Sequence, residues 1–326
     1  MDRELLIGID LGGTNCRLAL VDGRGEIGEG SRLSSREFVD AEDLVERLAL
    51  ECRALMEHAR RQGGRVRAVG AGVPGLVDGT GTVLTAPNLG ILDGLPLGAA
   101  LEKRLGLPVA VLNDANAIAW GEKIWGAAID LDSFLALTLG TGVGGGLILG
   151  GRLWVGADGC AGEVGHLNVE AHGRICGCGS RGCLEQYSSA SGILRSVRDA
   201  LAQGRDSTLS QINDQDLSAA AVGAAARGGD ALALEVLREA GRRLGQVLAG
   251  VANLLNLDGA VICGGVASSL DLFLPALNQE LFARAFDRPA RRMRIFAGAL
   301  GDRAGILGAA HFACHPQAAW SARSES

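Results

Sequence analysis

The sequence predicts an α/β protein built from two similar domains. The first observation behind this is an internal repeat at a shift of 128 positions. Leu11 falls on Leu139, Gly12 on Gly140, Leu20 on Ile148, Gly23 on Gly151 and Arg24 on Arg152. Each copy reads as strand, small-residue turn, strand, glycine hairpin and strand. The second is a succession of short apolar strands and amphipathic helices along the rest of the chain. The third is the length: 326 residues suffice for two domains with cores of their own. Two glycine turns, one from each domain, could grip a triphosphate from both sides by aiming backbone N–H groups at its oxygens. Alone, each would be an ordinary hairpin loop.

Composition narrows the function. The chain is 48% hydrophobic and 21% charged, with a formal net charge of −6 and a pI near 5.5. It lacks the basic footprint of a nucleic-acid binder. No apolar run approaches the roughly 20 residues of a membrane span. Met1-Asp2-Arg3-Glu4 leads into an apolar run too short for a signal core. Eight cysteines without an export signal point to a reducing cytoplasm. Cys16, Cys52, Cys160, Cys263 and Cys314 read as small apolar fillers. The 50 glycines carry no collagen period and imply many tight turns.

The elements follow in order. Leu5–Asp10 and Arg17–Asp22 are strands around Gly12-Gly13-Thr14, with a third strand toward Leu33. A helix over 40–61 starts at the N-cap Asp40 and stops at Gly63-Gly64. Strand 66–73 opens into a glycine-rich turn region ending near Asn88, a residue that could face a cleft or serve the turn alone. Helix 97–105 and strand 108–112 precede Asn113-Asp114-Ala115-Asn116. That motif stands at the carboxyl end of a strand, where α/β sheets bind ligands. Asp114 is either the N-cap of the next helix or a functional carboxylate. Strand–turn–strand recurs over 131–151, and a helix over 189–202 precedes a polar loop at 203–215. Long helices occupy 217–256 with a break at Gly228-Gly229. Strand 260–263 opens into Gly264-Gly265, a pair that permits close approach of a flat ring. Helix 270–286, strand 291–296, helix 302–312 and a frayed tail from Ser321 complete the chain.

The densest chemistry lies between Leu137 and Glu185. His166, Cys176, Cys178 and Cys183 form His-x9-Cys-x-Cys-x4-Cys, the donor set of a closed, structural tetrahedral zinc site. A disulfide or inert thiols would be the alternative, but disulfides suit small secreted chains. Glu163 precedes the ligand His166 by three positions, and Glu185 follows Cys183 by two. A zinc clamp would hold these two carboxylates side by side, ready to accept hydrogen bonds from hydroxyls. Without it they are two solvated glutamates.

Glu-x-Gly-His followed by Cys-x-Cys-Gly-x-x-Gly-Cys-x-Glu resembles the signature of the ROK family of repressors and sugar kinases, and the resemblance runs from about Leu5 to about Phe312. It implies a two-domain actin-like, ribonuclease H-like ATPase fold, with duplicated βββαβα units and an interdomain cleft. The expected domains are 1–116 plus 301–326, and 117–300. The resemblance makes Asp114 the general base. Asn88, Asn113, Glu163, His166 and Glu185 orient the sugar, with one His166 nitrogen on zinc and the other toward the substrate. Gly12, Gly13 and Thr14 hold phosphates from one domain, Thr141 and Gly142 from the other. Gly264 and Gly265 lie on the adenine side. Asp10 is the candidate for organising Mg²⁺ through water.

The function implied is an ATP-dependent hexose kinase acting on the 6-hydroxyl of glucose, with Mg²⁺ and structural Zn²⁺, as a cytoplasmic homodimer that binds neither nucleic acid nor membrane. The same chemistry on N-acetylglucosamine, N-acetylmannosamine or fructose, and a donor such as polyphosphate, are the near rivals. A sugar-responsive repressor is the distant one. It would carry a helix-turn-helix before the first strand, where only four residues precede Leu5. Many family members place lysine where this chain has Asn15.

Overall fold

The computed structural model describes residues 3–320. The elements, in order, are β1 (Arg3–Leu11), β2 (Asn15–Asp22), β3 (Ile27–Ser34), α1 (Ala41–Arg61), β4 (Gly64–Val73), β5 (Leu76–Val77), β6 (Val83–Thr85), α2 (Leu97–Leu105), β7 (Val109–Asn113) and α3 (Asp114–Trp125). Then come β8 (Phe134–Leu139), β9 (Val143–Leu149), β10 (Arg152–Trp154), α4 (Glu185–Ser188), α5 (Ala190–Ala202), α6 (Ala219–Arg227) and α7 (Ala231–Leu255). The chain closes with β11 (Gly259–Cys263), α8 (Leu270–Arg284), α9 (Asp287–Arg292), β12 (Arg294–Ala297), α10 (Ala304–Ala313) and β13 (Ala319–Trp320).

The expected duplication is visible in the sheets. One runs β3-β2-β1-β4-β7, the other β12-β11-β8-β9-β10-β13. Read as β10-β9-β8-β11-β12, the second repeats the order of the first. In both, the strand that opens the repeat lies at the centre and pairs in parallel with the strand that follows a helix: β1 with β4, β8 with β11. This is the duplicated sheet of the actin-like ATPase fold.

The first compact unit runs from the start of the described chain to Asp132, takes in Gly146–Gly162, and closes with Ala299 onward. Its sheet alternates as the pleat requires. Ile7, Ile9 and Leu11 point into one core, which α1 covers with Leu44, Leu48 and Cys52. Asp40 caps α1 by accepting from the Asp43 amide at 2.9 Å. On the other face, α10 packs against β1, β4 and α3. That approach is backbone on backbone. A Cβ on Gly70 would stand 1.8 Å from the Ala309 carbonyl oxygen, so no other residue fits. Residues 117–132 and Gly146–Gly162 fall in this unit rather than in the domain expected over 117–300, and α3 packs against α10. Buried Glu122 secures the arrangement, accepting from the amides of Ala127 (2.7 Å), Ala299 (3.0 Å) and Leu300 (3.0 Å).

The second unit comprises Ser133–Gly145 and Glu163–Gly298. Its strands β8, β11 and β12 pair in parallel, and its helices α7 and α8 pack against each other. The helix break near Gly228-Gly229 falls where expected, with Asp230 capping α7 through the Ala233 amide.

Three expectations fail locally. The strand expected over 291–296 begins only at Arg294, because Arg291 and Arg292 close the short helix α9, in which Asp287 and Arg291 pair one turn apart. Of the five cysteines read as core fillers, Cys16, Cys52 and Cys263 are buried, but Cys160 is only half-buried and Cys314 is exposed. Burial pushes the Cys52 thiol up to about 12. The polar loop at 203–215 contains a 3-10 turn over Thr208–Gln211, which Asp230 ties down. The tail expected from Ser321 lies outside the described residues. Among those described, no helix is long and apolar enough to cross a membrane.

One feature of the first unit titrates within reach of experiment. His311 of α10 accepts from the Trp120 indole N–H at 3.0 Å and stacks on His315 at 4.1 Å. Burial, then the His315 charge, pushes its pKa down from 6.5 to about 4. A base depressed in the folded state binds its proton more readily when unfolded. Its stabilisation is therefore full above pH 6.5 and is lost as the pH falls toward 4. Thermal melts of wild type and His311→Asn across this window should converge at the acid end; parallel curves would exclude the effect.

Candidate active site and metal centre

In the first unit, the candidate residues collect at the carboxyl ends of β1, β4 and β7. Asp10 pairs in register with Gly72 of β4, and Gly72 with Leu112 of β7. The β1–β2 turn is closed by the Gly12 amide donating to Asn15 O at 2.8 Å. Gly13 and Thr14 are exposed at its tip. Asn88 is brought to this turn: a Cβ on Gly13 would lie 3.6 Å from that of Asn88. Asn113, rather than Asp114, is the N-cap of α3. Its Oδ1 accepts from the amides of Ala115 (2.9 Å) and Asn116 (3.2 Å), and its Nδ2 donates to Gly75 O at 3.0 Å. The capping alternative for Asp114 is thereby removed. Asp114 occupies the first turn, half-buried, with Oδ1 2.8 Å from the Ala115 amide. Asp10 accepts from Arg17 Nη2 at 2.6 Å. A carboxylate has further lone pairs, so this pairing leaves Asp10 able to accept another hydrogen bond.

In the second unit, the β8–β9 turn, the cysteine knuckle and Gly264 converge. Glu185 Oε2 accepts from the Val143 amide at 3.1 Å, and Oε1 lies 3.8 Å from Cys176 Sγ. A Cβ on Gly142 would stand 2.4 Å from Glu185 Oε2. The amide of Ala190 donates to Gly140 O at 2.8 Å, and Thr141 is exposed between. Gly264, at φ +85, backs onto the Leu139 carbonyl, where a Cβ would come within 2.5 Å; Gly265 opens on free space. Burial pushes the Glu163 carboxyl up, the His166 ring pulls it down, and the Glu185 charge raises it again. The two glutamates expected to lie side by side are thus electrostatically coupled.

The donor set of the knuckle passes a geometric test for zinc. All four ligand atoms lie within 4.8 Å of one another. With Zn–S near 2.3 Å and Zn–N near 2.0–2.1 Å, a tetrahedron needs S···S of about 3.8 Å and S···N of about 3.6 Å. Cys178 Sγ lies 3.7 Å from Cys183 Sγ, and Cys176 Sγ lies 3.6 Å from His166 Nδ1. The sulfur separation also excludes a disulfide, and all eight cysteines are free. His166 turns Nδ1 to the cluster and leaves Nε2 3.9 Å from Glu163 Oε2.

Some supporting residues had no signal in the motifs. The guanidiniums of Arg174 and Arg243 lie over the ring of Tyr187, the sole tyrosine, at 5.1 and 5.3 Å from its centre. Arg243 of α7 also donates to Val169 O at 2.7 Å, and the Arg174 amide donates to the Tyr187 hydroxyl at 2.9 Å. These contacts brace the knuckle from the helical side. The Asp10–Arg17 pair was legible in principle, as neighbours across a seven-residue hairpin separation.

With the geometry in place, the relationships are plain. The family model described as ROK matches residues 6–315, and the chain belongs to the ROK family. A glucokinase of Halalkalibacterium halodurans is 35% identical over 322 residues, covering 94% of both chains. A xylose repressor of Caldicellulosiruptor bescii is 32% identical over 308 residues, covering 93% of this chain and 76% of that one. Among solved structures, a ROK family glucokinase from Streptomyces griseus in complex with glucose and AMPPNP superposes with a TM-score of 0.81 at 36% identity, covering 95% of this chain and 99% of that chain.

Proposed function

We propose that the protein is an ATP-dependent hexokinase that phosphorylates the 6-hydroxyl of glucose. The observation that carries this is Asp114. It stands at the carboxyl end of β7 with the capping role taken by Asn113, in a family with glucokinase relatives. Asp114 accepts the hydroxyl proton as that oxygen attacks the γ-phosphorus. Asn88, Asn113, Glu163, His166 and Glu185 orient the sugar. Backbone donors around Gly12, Gly13, Thr14, Thr141 and Gly142 hold the phosphates, and Gly264 and Gly265 admit the adenine. Mg²⁺, when bound, neutralises phosphate charge, and Asp10 would organise its water shell. His166, Cys176, Cys178 and Cys183 would hold zinc, and the closed site would fix Glu163 and Glu185. Water kept from the reacting hydroxyl cannot compete as an acceptor. A homodimer belongs to the same proposal, and sedimentation tests it.

The second reading, a sugar-responsive repressor, is favoured by the xylose repressor relative. ADP release from MgATP with glucose, N-acetylglucosamine, N-acetylmannosamine, mannose and fructose separates the readings, as kcat/KM for each sugar. Glucose should rank first. An N-acetyl sugar in first place would change the substrate and keep the chemistry. Absence of turnover with every sugar, together with operator binding, would establish the repressor.

A further inference from the structure

Arg32 of β3 reaches back to the β1–β2 turn. Its Nε and Nη2 both donate to Asn15 Oδ1, at 3.2 and 2.8 Å. Asn15 follows Thr14 directly and opens β2. A neutral amide holds a guanidinium in place without cancelling its charge, and no carboxylate among the described residues pairs with Arg32. Its register partner Arg17 differs. Asp10 and Asp302 compensate that guanidinium at 2.6 and 3.4 Å. Three of the five Arg32 N–H donors remain after Asn15 is served. The residue that holds this guanidinium follows Gly13 and Thr14, whose exposed backbone amides meet no acceptor among the described residues. An oriented, uncompensated guanidinium tethered at the end of a turn with free backbone donors has the makings of an anion site.

We propose that Arg32, positioned by Asn15, binds the phosphate chain of the phosphoryl donor. Asn15 thereby acquires a role: it aims the cation instead of supplying one. The inference deepens the kinase reading and rests on it.

The test measures MgATP, MgADP and adenosine binding by calorimetry, and KM for MgATP and for sugar, in wild type, Arg32→Ala, Arg32→Lys, Asn15→Ala and Asn15→Asp. Arg32→Ala should weaken MgATP and MgADP on the order of tenfold, the scale of one charge-assisted contact, and leave adenosine and the sugar KM unchanged. Arg32→Lys should recover part of the loss. Asn15→Asp, which sets a carboxylate against the guanidinium, should reproduce Arg32→Ala; Asn15→Ala should fall between. Thermal melts identify any variant that fails to fold, and the lysine and aspartate variants carry the test if alanine does. Wild-type MgATP affinity in Arg32→Ala and Asn15→Asp, in a protein that turns over sugar, overturns the phosphate site alone. Weakened MgATP binding in a protein that phosphorylates no sugar supports the site and overturns the kinase reading.

Discussion

Replacing Asp114 with alanine is expected to lower kcat by about 10²- to 10⁴-fold, the usual contribution of a positioned general base, while glucose affinity stays within a few-fold of wild type. The split follows from the division of labour in the first turn of α3. Asn113 carries the cap through two amides, so removing Asp114 leaves the start of the helix intact. Loss of a true N-cap would instead cost about 1 kcal/mol of stability. Asp114→Asn is the sharper variant, because the amide oxygen can still accept from the Ala115 amide, 2.8 Å from Oδ1 in the native residue. It should keep the native melting temperature and lose the same catalytic factor. Steady-state kinetics with calorimetric glucose binding decides the matter. Near-native turnover in either variant would remove Asp114 as the base.

The second large effect is expected from the metal. Cys178 is the exposed member of the cluster, so Cys178→Ser or a chelator should release the ion without opening a core. Glu185 lies two residues beyond the ligand Cys183 and holds the Val143 amide at the β8–β9 turn. Freeing the knuckle should therefore disturb two functions at once. Glucose affinity should fall on the order of tenfold or more, the scale seen when groups supporting a metal site are lost, and KM for MgATP should rise with it. The brace of Arg174, Tyr187 and Arg243 should keep the unit folded, so circular dichroism should change little. Metal analysis of fresh protein should find one zinc per chain. Less than one, or native glucose binding in Cys178→Ser, would end the structural-zinc argument.

Both predictions rest on residues that were visible in the sequence, for different reasons. The zinc ligands lie within 18 positions of one another, and metal geometry is local, so spacing alone gave the donor set. The tetrahedral separations followed once the chain was folded. Asp114 stood out by its place after an apolar strand. Whether it capped the helix turned on a shift of one residue, and only the Asn113 hydrogen bonds decided it. The strand expected at 291–296 starts three residues late because Arg291 pairs with Asp287 in a helical turn, a local pairing that strand periodicity does not show.

The sequence by itself determined the fold class, the duplicated strand–turn–strand units and the metal donor set. Each is written in periodicity, in a repeat, or in ligands close along the chain. Tertiary structure alone decided what those parts touch. Glu185 and Val143 are 42 positions apart, and Arg32 and Asn15 meet through pairing of β2 with β3. It also decided that α3 belongs with the first unit, since its contact with α10 joins segments some 190 residues apart, as in the Trp120–His311 hydrogen bond. Contacts of that kind depend on how helices and strands pack side by side, which local propensity and spacing do not encode.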